Sequence, residues 1–439
     1  MNRPVPARAL GFWMCLALVV GNMIGSGVFL LPASLAPYGW NALFGWIFTI
    51  GGALCLAHVL SRLSSALPRA GGPYGFVHAA FGPLPAFVMG LSYWISVWVA
   101  NAAIAIAAVS ALSIFAPGIA KISGLPALLA AGLLWAVTLI NLRGARSAGW
   151  FQIVTTVLKL LPLVAVVVIA LLIGGGVENA EIAPFRITEI SPSAITATAA
   201  LTLWAMLGFE CAAVPQGKVD KPEVTIPRAT MIGTLLVGLL YILVCSAVTL
   251  MLPATQVAQS NAPFADFIAR YWGPTPALFV ALFVAIAAIG ALNGWVLMQG
   301  EVALSMARAG SFPRWFAKTD ARDTPVRALV VSSALVSLLI YMNYDRSMAN
   351  LFTFMALLST ASALVLYLLC ALASLKLAHE NVIPRSAGFA VIAGLGVIYS
   401  LWTFYGAGWE PSGLILILLG LGIPVYFLTR RWCEALAPA

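Results

Sequence analysis

Gly21-Asn22-Met23-Ile24-Gly25-Ser26-Gly27-Val28-Phe29 interrupts an otherwise apolar run from Gly11 to Leu31. The run has the length of a membrane-spanning helix, which needs about 20 apolar residues. Three glycines and two small polar residues, Asn22 and Ser26, sit in its middle. Glycine costs a helix interior about 1 kcal/mol relative to alanine. Backbone groups freed inside a bilayer must find partners in protein or in a water-filled cavity. The stretch therefore predicts a helix opened to hold something. Gly21 and Gly25 also fit a small-xxx-small packing face, but packing does not call for the added Ser26-Gly27.

The rest of the chain supports a membrane setting. Charged residues are 8% of the total and hydrophobic residues 62%, whereas soluble domains carry about 25% charged residues. There is room for about twelve spans, beginning near Gly11, Trp40, Pro83, Gly124, Gly149, Ser193, Ala229, Pro276, Leu329, Leu351, Ala387 and Gly413. Arg3 and Arg8 precede the first span as in a signal peptide. That span is too long, lacks a small-residue cleavage site and is followed by others, so it reads as retained. With the N-terminus inside, most Lys and Arg fall in inner segments; only Lys121, Arg186, Arg270 and Arg346 lie outside. This is the positive-inside pattern, and it places both termini in the cytoplasm. The net charge of +9 thus follows from topology and does not point to nucleic acid.

The connections are short, so residues 1–439 read as a single polytopic, all-α membrane domain. Core helices occupy roughly residues 11–374 and two additional helices roughly 386–429. A short surface helix is expected around Ala262–Arg270. Five of the six cysteines lie in apolar segments and none forms a CxxC pair, so neither a disulfide framework nor a zinc site is indicated. His58, His78 and His379 are too scattered to hold a metal. No phosphate-binding loop of the Walker type, HExxH or GxSxG motif occurs, which argues against ATP hydrolysis and against an enzyme, and no cofactor is expected. A polytopic enzyme or sensor should show a catalytic cluster or a soluble signalling domain, and neither is visible.

A second interruption, Trp204-Ala205-Met206-Leu207-Gly208-Phe209-Glu210, falls in the sixth span. Corresponding broken spans in two halves of a chain are the best sequence pointer to a secondary transporter's site. At the first break, Ser26 and Gly27 would open a half-helix whose N–H groups and dipole attract a carboxylate. Carbonyls freed near Met23 and Ile24 would attract an ammonium. Glu210 sits in an apolar context, where a carboxylate needs a partner, a proton or water; it reads as a proton-sensitive gate, or else as a carboxylate at the inner surface. Lys159 lies about ten residues into the fifth span, roughly 15 Å deep, near the middle of a ~30 Å hydrocarbon core. A lysine stem snorkels only about 6 Å, so Lys159 should face the protein interior. It would stand in for a bound sodium ion, exchange a proton, or bond carbonyls of a broken helix. Tyr93, Trp94, Trp98, Asn101, Trp204 and Trp295 offer an aromatic and polar cage, although most membrane aromatics are interfacial or packing residues.

Several motifs together resemble the amino acid–polyamine–organocation (APC) superfamily. They are Gly21–Phe29 followed by Pro32, Pro68-Arg69-Ala70-Gly71-Gly72-Pro73-Tyr74 through Phe81-Gly82, Asn141–Gly144, Lys221-Pro222 with Ile226–Ala229, and Phe312-Pro313. Tyr93-Trp94 with Asn101, Leu203-Trp204 with Gly208 and Glu210, and Gly294-Trp295 resemble its basic amino acid/polyamine antiporter family, of the arginine/agmatine type. The resemblance implies an inverted-repeat (LeuT-type) fold of ten core helices plus two, with helices 1 and 6 broken, and a homodimer in the bacterial inner membrane. It implies that Ser26, Gly27 and the Met23 and Ile24 carbonyls bind the substrate's α-carboxylate and α-amino groups. By the same resemblance Trp204, with Ala205 and Leu207, closes over the substrate. Trp295 stacks on the side chain, Asn101 touches its far end and Thr360 supplies a polar contact from span 10. Tyr93, Lys159 and Glu210 take gating or coupling roles. Ser96 and Val97 occupy the stretch that contacts a guanidinium in that family, so arginine is not secured. Lys159 departs from the arginine/agmatine type and resembles proton-coupled permeases and sodium-independent neutral amino-acid exchangers. The expected function is sodium-independent secondary transport, foremost exchange of an amino acid for a related amino acid or its decarboxylated amine. The alternative is proton symport, with protons as partner, or neutral amino-acid exchange.

Overall fold

The computed structural model describes residues 11–435 except Ser26, Arg69, Gly71, Gly144, residues 175–181, Val214, Pro215, Gly217, Lys218, Arg322, Asp323 and residues 344–346. Span 1 is two half-helices, α1 (Phe12–Met23) and α2 (Gly27–Leu35). Span 2 is α3 (Trp40–Ala66), followed by the short α4 (Pro73–Phe81) and by span 3, α5 (Pro83–Leu112). After the four-residue α6 (Gly118–Lys121) come spans 4 and 5, α7 (Leu125–Leu142) and α8 (Ala145–Gly174). Span 6 is α9 (Pro192–Met206) with a 3₁₀ turn, Phe209–Ala212, beyond its break. Span 7 is α10 (Pro222–Met251), and α11 (Ala254–Gln259) and α12 (Pro263–Trp272) lie across its far end. Spans 8 to 12 are α13 (Pro274–Arg308), α14 (Val326–Met342), α15 (Met348–His379), α16 (Ala387–Gly406) and α17 (Trp409–Ala435). Among the described residues ten helices are long and apolar enough to cross a membrane, and Leu158–Leu172 and Val326–Met342 are shorter apolar helices. Large apolar side chains such as Leu171, Leu243, Ile398 and Leu421 stand exposed on the outside, as lipid contact requires.

Proline sets many of the starts. Seven helices carry it at their first or second position, where its missing N–H would have had no helical partner. At two of these starts the preceding glycine also ends the helix before. Gly82 (φ +83°) closes α4 and Gly273 (φ +95°) closes α12, and Pro83 and Pro274 then open α5 and α13. The local sequences are Gly82-Pro83-Leu84-Pro85-Ala86 and Gly273-Pro274-Thr275-Pro276-Ala277, so the same corner is written twice.

That repetition extends to the packing. Exchanging each span n of the first ten with span n+5 maps most helix contacts onto other contacts. The packing of α5 on α15 becomes that of α13 on α8, and α1 on α10 becomes α9 on α3. Likewise α8 on α10 becomes α15 on α3, α5 on α7 becomes α13 on α14, and α7 on α13 becomes α14 on α5. The pairs α3–α10, α5–α13 and α7–α14 map onto themselves. Even α4, against α5 and α15, has a counterpart in α12, against α13 and α8. An odd number of spans separates the partners, so the halves run in opposite directions. This is an inverted repeat, and α16 and α17 pack outside it on α3, α5, α9 and α15.

Candidate substrate site at the two broken helices

The first break is a short non-helical turn. Ile24 N–H still reaches the Val20 carbonyl at 2.8 Å, but Gly25 N–H turns back to Met23 at 2.8 Å. The carbonyls at the end of α1 lack the next helical turn and face other partners. Lys159 Nζ, fully buried on α8, donates to the Gly21 carbonyl at 2.8 Å. Tyr241 Oη on α10 donates to the Met23 carbonyl at 2.6 Å. A cation at a helix C-terminus also meets the negative end of the dipole. Ser26, the expected partner of Gly27, lies outside the described residues.

The second break follows the same logic. α9 ends with Leu207 N–H on the Leu203 and Trp204 carbonyls, and Gly208 (φ +119°) turns the chain into the 3₁₀ segment. Glu210, 1% exposed, is held on both oxygens. Tyr93 Oη donates to Oε1 at 3.1 Å, while Gly208 N–H and Tyr367 Oη donate to Oε2 at 3.0 and 2.8 Å. Span 3 and span 10 therefore both grip the break in span 6.

The two breaks touch. A Cβ on Gly208 would lie 3.0 Å from Met23 N and 3.1 Å from Asn22 C. A Cβ on Gly27 would lie 2.8 Å from Trp204 Nε1 and 3.5 Å from Ala205 Cα. Glycine at both places lets the chains approach. The Trp204 indole N–H thus stands beside the first residue of α2, and it is buried with no hydrogen-bond partner among the described residues. The Trp98 N–H and the Asn101 Oδ1 are also buried and unpartnered. Buried polar groups are nearly always paired; Trp46, Ser64, Asn141 and Ser246 also leave such atoms unpartnered among the described residues, and Trp98, Asn101 and Trp204 stand out because they lie on the spans that carry the expected site residues.

The remaining expected residues divide. Trp295, 5% exposed, sits on α13 one turn before Gln299, which accepts from Asn101 Nδ2 at 2.8 Å. Ser96 and Val97 are buried on α5. The Ser96 hydroxyl donates to the Ser359 carbonyl, and Ser359 returns the bond to the Ser96 carbonyl, each at 2.9 Å, so both clasp span 3 to span 10. The Thr360 hydroxyl donates to Ala356 within its own helix. Met23 already has two donors on its carbonyl, with which a substrate amine would compete. Sequence reasoning passed over Tyr241, Tyr367 and Gln299. Gln299 carries the same signal as Asn101, an amide inside an apolar span. Tyr367 shares a helix face with Thr360 seven residues earlier, but its partner is remote in sequence.

Comparison with known proteins agrees with this architecture. Residues 10–421 match the family model described as amino acid permease. The cadaverine/lysine antiporter of Escherichia coli is 32% identical over 98% of this chain and 96% of its own length. The putrescine transporter PotE of Haemophilus influenzae is 30% identical, covering 94% of this chain and 96% of its own. A putative arginine/ornithine antiporter of Bacillus subtilis is 30% identical, with 94% of each covered. With two opened helices meeting at the centre of an inverted repeat, this chain belongs to the amino acid permease family of the APC superfamily.

Proposed function

We propose that this protein is a sodium-independent antiporter that exchanges a cationic amino acid for a related amino acid or its decarboxylated amine. The observation that carries the reading is the unpaired Trp204 N–H beside Gly27, the first residue of α2. A helix N-terminus offers N–H groups and a positive dipole end, and the indole adds a further donor at the same point. Together they suit an α-carboxylate. Sodium independence rests on Lys159, whose ammonium holds the Gly21 carbonyl that a metal ion would otherwise find free. Relatives named for cadaverine/lysine, putrescine and arginine/ornithine support lysine, ornithine and arginine with their amines as candidates alongside arginine/agmatine. We place the whole chain in a bacterial inner membrane as one transport unit, a homodimer by family resemblance, with both termini cytoplasmic following its charge bias.

The test is counterflow by purified protein in liposomes loaded with lysine, arginine, ornithine, their amines, serine or nothing, with and without Na⁺ and a pH gradient. Uptake that needs a loaded cationic amino acid or amine, in choline as in sodium, is the expected result. Uptake into empty vesicles driven by a pH gradient would instead support proton symport, the second reading that Lys159 favours.

A further inference from the structure

A line of hydrogen bonds runs from α7 to the centre of the molecule, and its direction is fixed by what each group can donate. Thr138 Oγ1 lies 2.8 Å from the Leu134 carbonyl, an acceptor only, so the threonine's single proton goes there. Ser333 Oγ lies 2.8 Å from Thr138 Oγ1 and must therefore give its own proton to it. The Gln299 amide stands 2.9 Å from Ser333 Oγ and 3.5 Å from the Leu329 carbonyl. Neither neighbour has a proton left to offer, so Gln299 turns its NH₂ toward them and its oxygen toward Asn101. Asn101 meets that oxygen with its own NH₂ at 2.8 Å. Its Oδ1 is thereby turned away from α13 and left buried without a partner, on a residue that is fully buried. Rotating either amide by half a turn would set two oxygens or two NH₂ groups against each other. The orientation follows from the chain of donors and not from choice of atom names.

Asn101 and Gln299 lie on the two helices that also carry Trp98 and Trp295. Asn101 is one turn beyond Trp98 on α5, and two turns beyond Tyr93, whose hydroxyl reaches Glu210 in the second break. Gln299 is one turn beyond Trp295 on α13. We propose that Gln299 is a positioning residue that holds the Asn101 carbonyl oxygen toward the substrate. The site then selects an amino acid whose side chain ends in a hydrogen-bond donor, an alkylammonium or a guanidinium, over one ending in an apolar group or an acceptor. The proposal rests on the antiporter reading above and adds what sets its substrate class. An Asn101 amide turned the other way would offer NH₂ and favour a carboxamide or carboxylate tail.

The experiment measures KM and kcat for exchange of external lysine, arginine, norleucine and glutamine by the full-length protein in liposomes. Lysine and arginine are read separately, so the two donor chemistries are distinguished. In the unaltered protein lysine or arginine should have a KM about tenfold or more below that of norleucine, as expected for one hydrogen bond to a charged group. Gln299→Leu frees the Asn101 amide and should shrink that ratio to about threefold or less, through KM and not kcat. If Gln299→Leu does not yield a monodisperse protein, Ser333→Ala removes the group that directs Gln299 and should lower the ratio about two- to threefold. An unaltered ratio in these variants, with cationic exchange intact, overturns the role of Gln299 and leaves the antiporter reading standing. A protein that exchanges cationic amino acids without favouring them over norleucine also overturns it. Failure to exchange any cationic amino acid overturns both.

Discussion

Replacing Lys159 by methionine removes the ammonium and keeps a side chain of similar length. The structure gives two opposed effects. The bond to the Gly21 carbonyl at 2.8 Å is lost, and a hydrogen bond to a charged group contributes about 1.5–3 kcal/mol. The cost of holding a fully buried ammonium is lost as well, and such replacements are often neutral for stability. The melting midpoint in detergent should therefore move by only a few degrees. Transport should suffer more. Gly21 lies in the last turn of α1, beside the break, and a bond of that strength present in one conformation and absent in the other biases the two by about 10- to 150-fold. Labelled lysine counterflow should fall at least about tenfold, and Na⁺ should not stimulate the unaltered protein. Exchange by Lys159→Met within about twofold of the unaltered rate would mean that the bond persists through the cycle and is structural. A Na⁺ requirement in the unaltered protein would refute the reasoning outright.

Trp204→Phe keeps the ring and removes the unpaired N–H beside Gly27; KM for the amino acid should rise about three- to tenfold, while that of the decarboxylated amine changes less than about twofold. Gly208→Ala forces a side chain into a left-handed backbone 3.0 Å from Met23 N, and should lower stability by about 2 kcal/mol or more, read as an earlier thermal midpoint. Tyr367→Phe leaves Glu210 Oε2 with Gly208 N–H alone. A double-mutant cycle with Glu210→Gln should give a coupling of about 1–2 kcal/mol in detergent unfolding.

Sequence reading placed the spans well because the membrane demands long apolar runs. Each expected start, from Gly11 to Gly413, falls within about seven residues of an observed helix start, and the two interruptions, at Gly21–Gly27 and around Gly208, are breaks. The surface helix expected around Ala262–Arg270 is α12. The depth argument for Lys159 located it in the interior. It did not name Gly21 as its partner, since two residues far apart in sequence meet only through the fold. Glu210 drew attention as a buried carboxylate, yet its grip depends on Tyr367, an aromatic among many in apolar helices. The two broken spans, five apart, hinted at the repeat, and the Gly-Pro-x-Pro-Ala corner at Gly82 and again at Gly273 spells it out. Hydroxyl orientation was the least legible. Resemblance alone places Ser96 and Thr360 at substrate contacts, and their hydroxyls donate to backbone carbonyls.

The exchange of spans n and n+5 leaves a small remainder. The contacts of α2 with α15 and α5, made beyond the first break, have no counterparts of similar extent made by the 3₁₀ segment beyond the second, and that of α1 with α13 has none made by α9, among the described residues. A molecule built twice from one antiparallel plan has two mirror ways of being lopsided, and their energies lie close because the same kinds of surfaces meet in each. The missing mates, the 3₁₀ segment against α8 and α13 and α9 against α5, are the contacts that would form if the lopsidedness passed from one half to the other. An exchanger that must run in both directions benefits from such near-degeneracy, since neither face is a resting place from which it must be lifted.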